Sequence, residues 1–163
     1  MIFRISKKLA TKIKITAARS LPVDPNPFAD WSAHLFSAQR TQYVILTNSA
    51  SLYSTVMYGR GIANGSQFFD RAWSCLREFL VADGLEFIFS RFIAPETETV
   101  RFSIALNRSI TGSMNDFVYH AKMWLIDGNL SPFDVSFKLN EIPMSYLDYA
   151  NPREVFKLLK NGS

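Results

Sequence analysis

The chain has 163 residues, 48% apolar and 20% charged, with a net charge of +4 and a single cysteine. That balance excludes a disordered or low-complexity chain and predicts one folded domain, residues 1–163, able to bury a core without staples. One cysteine and two histidines exclude a disulfide framework and a tetrahedral zinc site of the usual kind.

Met1-Ile2-Phe3-Arg4-Ile5 alternates as a strand does, and Ser6 stands where a helix N-cap belongs. Lys7, Lys8, Leu9, Lys12 and Ile13 then have the spacing of a short amphipathic helix. Leu21 to Pro27 holds three prolines and reads as a loop. From Trp31 the chain alternates through Ala33 and Leu35. It does so again through Tyr43, Ile45 and Thr47, with Gln39-Arg40-Thr41 between, which predicts a hairpin. A polar turn over Thr47 to Ser51 leads to a further strand, Leu52 to Tyr58.

Ser66 is placed to cap a helix whose apolar positions are Phe69, Ala72, Trp73, Leu76 and Leu80, with Gly84 ending it. Leu85 to Ala94 predicts a buried helix stopped by Pro95, and Val100 to Leu106 a half-buried strand. After the polar corner Asn107 to Asp116, a helix buries Met114, Phe117, Ala121, Trp124 and Leu125 and ends near Gly128. Ser131-Pro132 and Asn151-Pro152 each start a further short helix. The expected architecture is α+β: a small, mainly antiparallel sheet with helices packed on it and a helical C-terminal third.

The corner carries the densest chemistry. Asn107, Arg108, Ser109, Gly112, Ser113, Asn115 and Asp116 offer amides, a guanidinium, hydroxyls and a carboxylate beside the free N–H groups of a helix start. Ser113, Asp116 and His120 follow the spacing i, i+3, i+7, which puts them on one helix face. A catalytic reading takes His120 as general base, Asp116 as its orienting partner and Arg108 as the group that stabilises a developing anion. The plain reading takes the same residues as caps and a surface pair. His34 and Arg40 lie on the hairpin, where a strand could carry them toward the corner. Asn48, between Thr47 and Ser49, suits an Asx turn. Cys75 sits among apolar helix positions as a small hydrophobe.

The positive charge is concentrated at the start: Arg4, Lys7, Lys8, Lys12, Lys14 and Arg19 precede the first acidic residue, Asp24. Lys7, Lys8, Lys12, Lys14 and Arg19 are thus candidate phosphate contacts, since neutralised phosphates release counterions. The aromatic residues fall mostly at core-periodic positions, which speaks against a base-stacking platform.

Four segments resemble a known family: Met1-Ile2-Phe3-Arg4 with Lys7-Lys8-Leu9; Asp30-Trp31-Ser32-Ala33 followed by Leu46-Thr47-Asn48; Asn107-Arg108-Ser109 through Gly112-Ser113-Met114-Asn115-Asp116; and Ile142-Pro143-Met144-Ser145. It is a family of small bacterial and mobile-element proteins, a domain of unknown function. The resemblance implies a prokaryotic or phage-type cytosolic origin and makes the basic N-terminus part of the domain. It implies no activity and no catalytic residue.

The functional expectation is a nucleic-acid-directed module, RNA-binding or a metal-independent endoribonuclease of toxin type. The competing expectation is a non-enzymatic protein-interaction or regulatory domain, antitoxin-like, whose corner is structural. No cofactor, metal or membrane contact is expected, and the expected compartment is the cytoplasm.

Overall fold

The computed structural model describes residues 1–161. Five strands form one sheet in the order β4-β3-β2-β1-β5, where β1 is Ile2–Ile5, β2 Asp30–Ala38, β3 Thr41–Asn48, β4 Ser54–Tyr58 and β5 Arg101–Ser103. The long ladders, β2 with β3 and β3 with β4, are antiparallel. The short ones, β1 with β2 and β1 with β5, are parallel, so the sheet is mixed with antiparallel pairing predominant. Parallel neighbours need a crossover connection, and α1 (Lys7–Ile13) lies in the one from β1 to β2, while the helices after β4 carry the chain across to the opposite edge, where β5 pairs with β1.

Both faces of the sheet are covered. One face presents Phe3, Ile5, Trp31, Ala33, Val44 and Leu46 to α1 (Lys7–Ile13), α2 (Gly65–Ala82) and Phe156 of α6 (Pro152–Leu158). The other presents Phe36, Tyr43, Ile45 and Val56 to α4 (Arg108–Ile126) and α5 (Pro132–Leu139). Strand alternation sorts the side chains between these two cores, so a one-residue slip in β2 would exchange Trp31 and Ala33 for Ser32 and His34.

Between the parallel strands sits a charged pair with almost no exposed surface. The Arg4 guanidinium forks onto both Asp30 oxygens at 2.8 Å, and its remaining donors meet the carbonyls of Leu21 and Pro22 and the Ser103 hydroxyl. Such a pair is tolerated in the interior because every polar atom of the fork has a partner.

The free margin of β4 is closed by side chains. Asn140 accepts from the Ser54 N–H at 2.7 Å and donates to the Ser54 carbonyl at 2.8 Å, while the Ser136 hydroxyl accepts from the Val56 N–H at 2.8 Å. At the opposite margin β5 has three residues, and Arg19 and Leu21 bond to Ile104 and Ser103 beside it.

Three expectations are corrected in detail. Asn64, not Ser66, caps α2 by accepting from the Gln67 N–H at 2.9 Å. The stretch from Leu85 is helical but not one helix: an α turn, α3 (Glu86–Ile88), passes into a π turn over Phe89–Ile93 and a 3-10 turn over Ala94–Glu98. Pro95 therefore lies inside the helical run, at the start of its last turn, where a missing N–H costs least. The strand before the corner ends at Ser103: its ladder with β1 stops at Arg4, one residue before β1 itself ends, and Ile104 turns its N–H to Arg19 instead.

Candidate functional site

The site begins with strands of unequal length. β1 stops at Ile5, opposite Ala33, while β2 runs on to Ala38, so from His34 onward β2 lacks its parallel neighbour. Helix α1 packs against β2 on one side of this stretch and α4 on the other. Two concavities result, of about 830 Å³ and about 580 Å³, and they share His34 and Thr11. Together they make one groove with His34 at its waist.

Local chemistry fixes both walls. Ser6 caps α1, accepting from the Leu9 N–H at 3.3 Å, and Leu9 and Ile13 are buried. Burying that stripe turns Lys7, Lys8, Thr11 and Lys14 outward along the groove. Lys14 closes the helix in the left-handed region, φ 58°, its N–H returning to the last turn. Across the groove Asn107 caps α4, accepting from the Ile110 N–H at 2.9 Å, and Ile110, Met114, Phe117 and Ala121 are buried. Thr111, Asn115, Val118 and Lys122 form the adjacent stripe and supply the facing wall.

The two halves differ in character. The larger is walled by Ile5, Ala10, Ile15, Ala17, Ile104 and Ala105, with Lys7, Lys14 and threonine hydroxyls above them. The smaller carries Lys8, Lys122, Asn115, Gln42 and Ser37. No acidic residue lines either half. Burial lowers the pKa of His34 below its ordinary 6.5, so at neutral pH the imidazole is uncharged, with one donor and one acceptor nitrogen. Its side chain makes no hydrogen bond among the described residues, leaving both nitrogens for the groove.

The expected site residues distribute unevenly. Lys7, Lys8 and Lys14 line the groove, Lys12 is held by Gln42 at 2.8 Å, and Arg19 is exposed outside it. Arg4, the first of the N-terminal basic residues, is paired with Asp30 in the interior. Arg108 and Asp116 are exposed and make no ion pair or side-chain hydrogen bond among the described residues. His120 does not bond Asp116; it stacks on Trp124 at 5.7 Å and meets Tyr119 edge-on. The Ser113 hydroxyl is turned back to the Ser109 carbonyl at 3.0 Å. Arg108, Asp116 and His120 therefore do not assemble with His34.

Of the corner residues Thr111 and Asn115 line the groove with His34; Gly112 is exposed, with open space where a side chain would be. Arg40 sits at the hairpin turn, exposed and outside the groove. Asn48 is fully buried and organises its loop as expected of an Asx turn, accepting from Ala50, Ser51 and the Ser51 hydroxyl. Burial pushes the Cys75 thiol up to about 11, and its only hydrogen bond among the described residues is to Thr55. Sequence reasoning missed Thr11, Thr111, Gln42 and Lys122, which carry no local signal and meet only because α1 and α4 flank the same strand.

No three His, Cys, Asp or Glu side chains cluster as metal ligands would among the described residues, and none of the helices described is long and apolar enough to cross a membrane.

Fold and groove together define an α+β protein with a cationic cleft over the end of a mixed sheet. The chain belongs to the family described as a domain of unknown function, DUF6933, which matches residues 2–155. The resemblance read from the four segments is thus met at the level of the family. No curated protein and no solved structure matches the chain.

Proposed function

We propose that this protein is a nucleic-acid-directed binding module, its groove between α1 and α4 holding a phosphate-bearing strand. The observation that carries the reading is the charge of the groove: Lys7, Lys8, Lys14 and Lys122 line it with no carboxylate among them. Four ammonium groups over one concave surface raise the local potential and favour a polyanion over a neutral or cationic partner. In the endoribonuclease form of this reading, His34 replaces His120 as the base, because it is uncharged at neutral pH and stands where the strand would lie. The same reading sets the protein in a reducing bacterial cytoplasm, supported by its single, half-buried free thiol.

The test is fluorescence anisotropy with labelled oligouridylate over a range of salt. Binding should weaken with salt, with a log–log slope of about −3 if four lysines each neutralise a phosphate of a single strand. Lys7→Ala with Lys14→Ala should reduce both the affinity and the slope. A double variant that binds as the parent does, or binding indifferent to salt, defeats the proposal.

A protein-interaction or regulatory role is the second reading. It is favoured by the stripe Tyr119, Met123 and Ile126 on the outer face of α4, whose exposures of 66%, 43% and 39% leave apolar surface in water. Failure of every oligonucleotide to bind would favour it.

A further inference from the structure

We infer that the strand held in this groove is single and delivers one unstacked base into the aliphatic half, where His34 reads the edge of that base. The inference rests on the proposed nucleic-acid reading and specifies its ligand. Three observations carry it. The larger half, about 830 Å³, has room for a planar ring system, and its walls Ile5, Ala10, Ile15, Ala17 and Ile104 are apolar. Ile104 is 41% exposed, so part of this apolar wall stands open to water rather than being packed by the protein itself.

Polar groups also line that half, the helix-capping Ser6 among them. Lys7, Lys14 and the hydroxyls of Thr11, Thr16 and Thr111 lie along it, and His34 joins it to the polar half. A nucleotide has matching parts: an anionic phosphate, a polar sugar, apolar ring faces and a hydrogen-bonding ring edge. An uncharged imidazole with a free donor and a free acceptor suits such an edge, whereas a charged group would be costly against the apolar walls.

The remaining argument is reach. In a duplex the ring edges are paired and the ring faces stacked, so no base is free to descend between two helices to a strand-borne side chain. A single strand pays only the loss of local stacking to do so. The polar half, with Lys8, Lys122, Asn115 and Gln42, then carries the continuing backbone. No aromatic side chain lines the larger half, so selectivity there comes from the ring edge and the size of the space rather than from stacking.

The experiment compares four probes by anisotropy: oligouridylate, oligoadenylate, an abasic strand of equal length and a duplex of equal length. The variants are Ala105→Phe, which fills the aliphatic half from an exposed position, and His34→Gln, each checked for fold by circular dichroism. The parent should bind the base-bearing strands at least about tenfold more tightly than the abasic strand or the duplex. Ala105→Phe should remove that advantage, bringing the base-bearing strands to the affinity of the abasic strand, and His34→Gln should alter the ratio between uridylate and adenylate.

Abasic strand or duplex bound as tightly as the base-bearing strands overturns the inference, as does a folded Ala105→Phe that binds all probes as the parent does. If Lys7→Ala with Lys14→Ala weakens all probes while bases make no difference, the groove reading stands and the base pocket falls. If the lysine variant changes nothing, the groove reading itself has failed.

Discussion

Arg4 shows how a residue's environment overrules its type. In the sequence it is the first of six basic residues that precede the first acid, Asp24, and nothing there marks it as different from the other five in charge. In the fold its partner is Asp30, twenty-six residues on, brought alongside by the parallel pairing of β1 with β2. Nothing in the local pattern announces that pairing, because Asp30 stands opposite Ile2 and diagonal to Arg4 only through a crossover whose geometry is tertiary. Arg4→Met should lower stability by about 3–5 kcal/mol in urea denaturation, since it leaves the Asp30 carboxylate buried without its counter-charge. Adding Asp30→Asn should recover part of the loss. An Arg4→Met variant within about 1 kcal/mol of the parent would show that the pair contributes little here. By contrast Ser6, Asn107, Ser131 and Asn151 all cap helices as their residue types and positions suggest, because capping involves only the next three residues.

At the scale of elements, what could be read was what is periodic. The hairpin, the amphipathic stripes of α2 and α4, and the Pro-initiated α5 and α6 follow from alternation or helical spacing, and the α+β class follows from their sum. What could not be read was where an element stops for want of a neighbour. Val100 to Leu106 alternates throughout, yet β5 ends at Ser103, where the Ile104 N–H leaves the ladder for the Arg19 carbonyl. The π turn at Phe89–Ile93 leaves no periodic trace in so apolar a run. The closure of β4 was also invisible, being made by two polar residues of α5 and its C-cap that look like ordinary helix positions. Asn140→Ala should cost about 1–3 kcal/mol, because it strips a buried Ser54 N–H and carbonyl of their partners. Thermal denaturation measures this directly; an unchanged midpoint would mean that water takes the place of the amide.

For the whole molecule, His34 links the groove to pH. In the unfolded chain it titrates near 6.5, while burial lowers its pKa in the folded protein. Between those two values the unfolded chain binds the extra proton, so stability rises with pH across that window. The contribution is complete above about pH 6.5 and is lost as pH falls through the lowered value. Denaturation curves of the parent and His34→Gln should therefore diverge on the acid side of pH 6.5 and run parallel above it. Parallel curves throughout would show that His34 is as well solvated folded as unfolded. The groove itself was half legible: the lysines of α1 were visible as a charged stripe, whereas their facing wall belongs to α4, a hundred residues away in the sequence. The C-terminal end is tied in by another long-range device, Asp83, which accepts from Tyr53 at 2.7 Å and from Arg153 at 2.9 Å.

The sealed margin of β4 also determines how this molecule can meet others. A strand with open N–H and carbonyl groups invites any extended peptide to lengthen the sheet, whatever its side chains. With Ser54 and Val56 engaged by Asn140 and Ser136, and with β5 only three residues long beside its bonded strap, indiscriminate backbone templating is discouraged at both ends of the sheet. Recognition is left to side chains, and so to sequence-encoded selectivity.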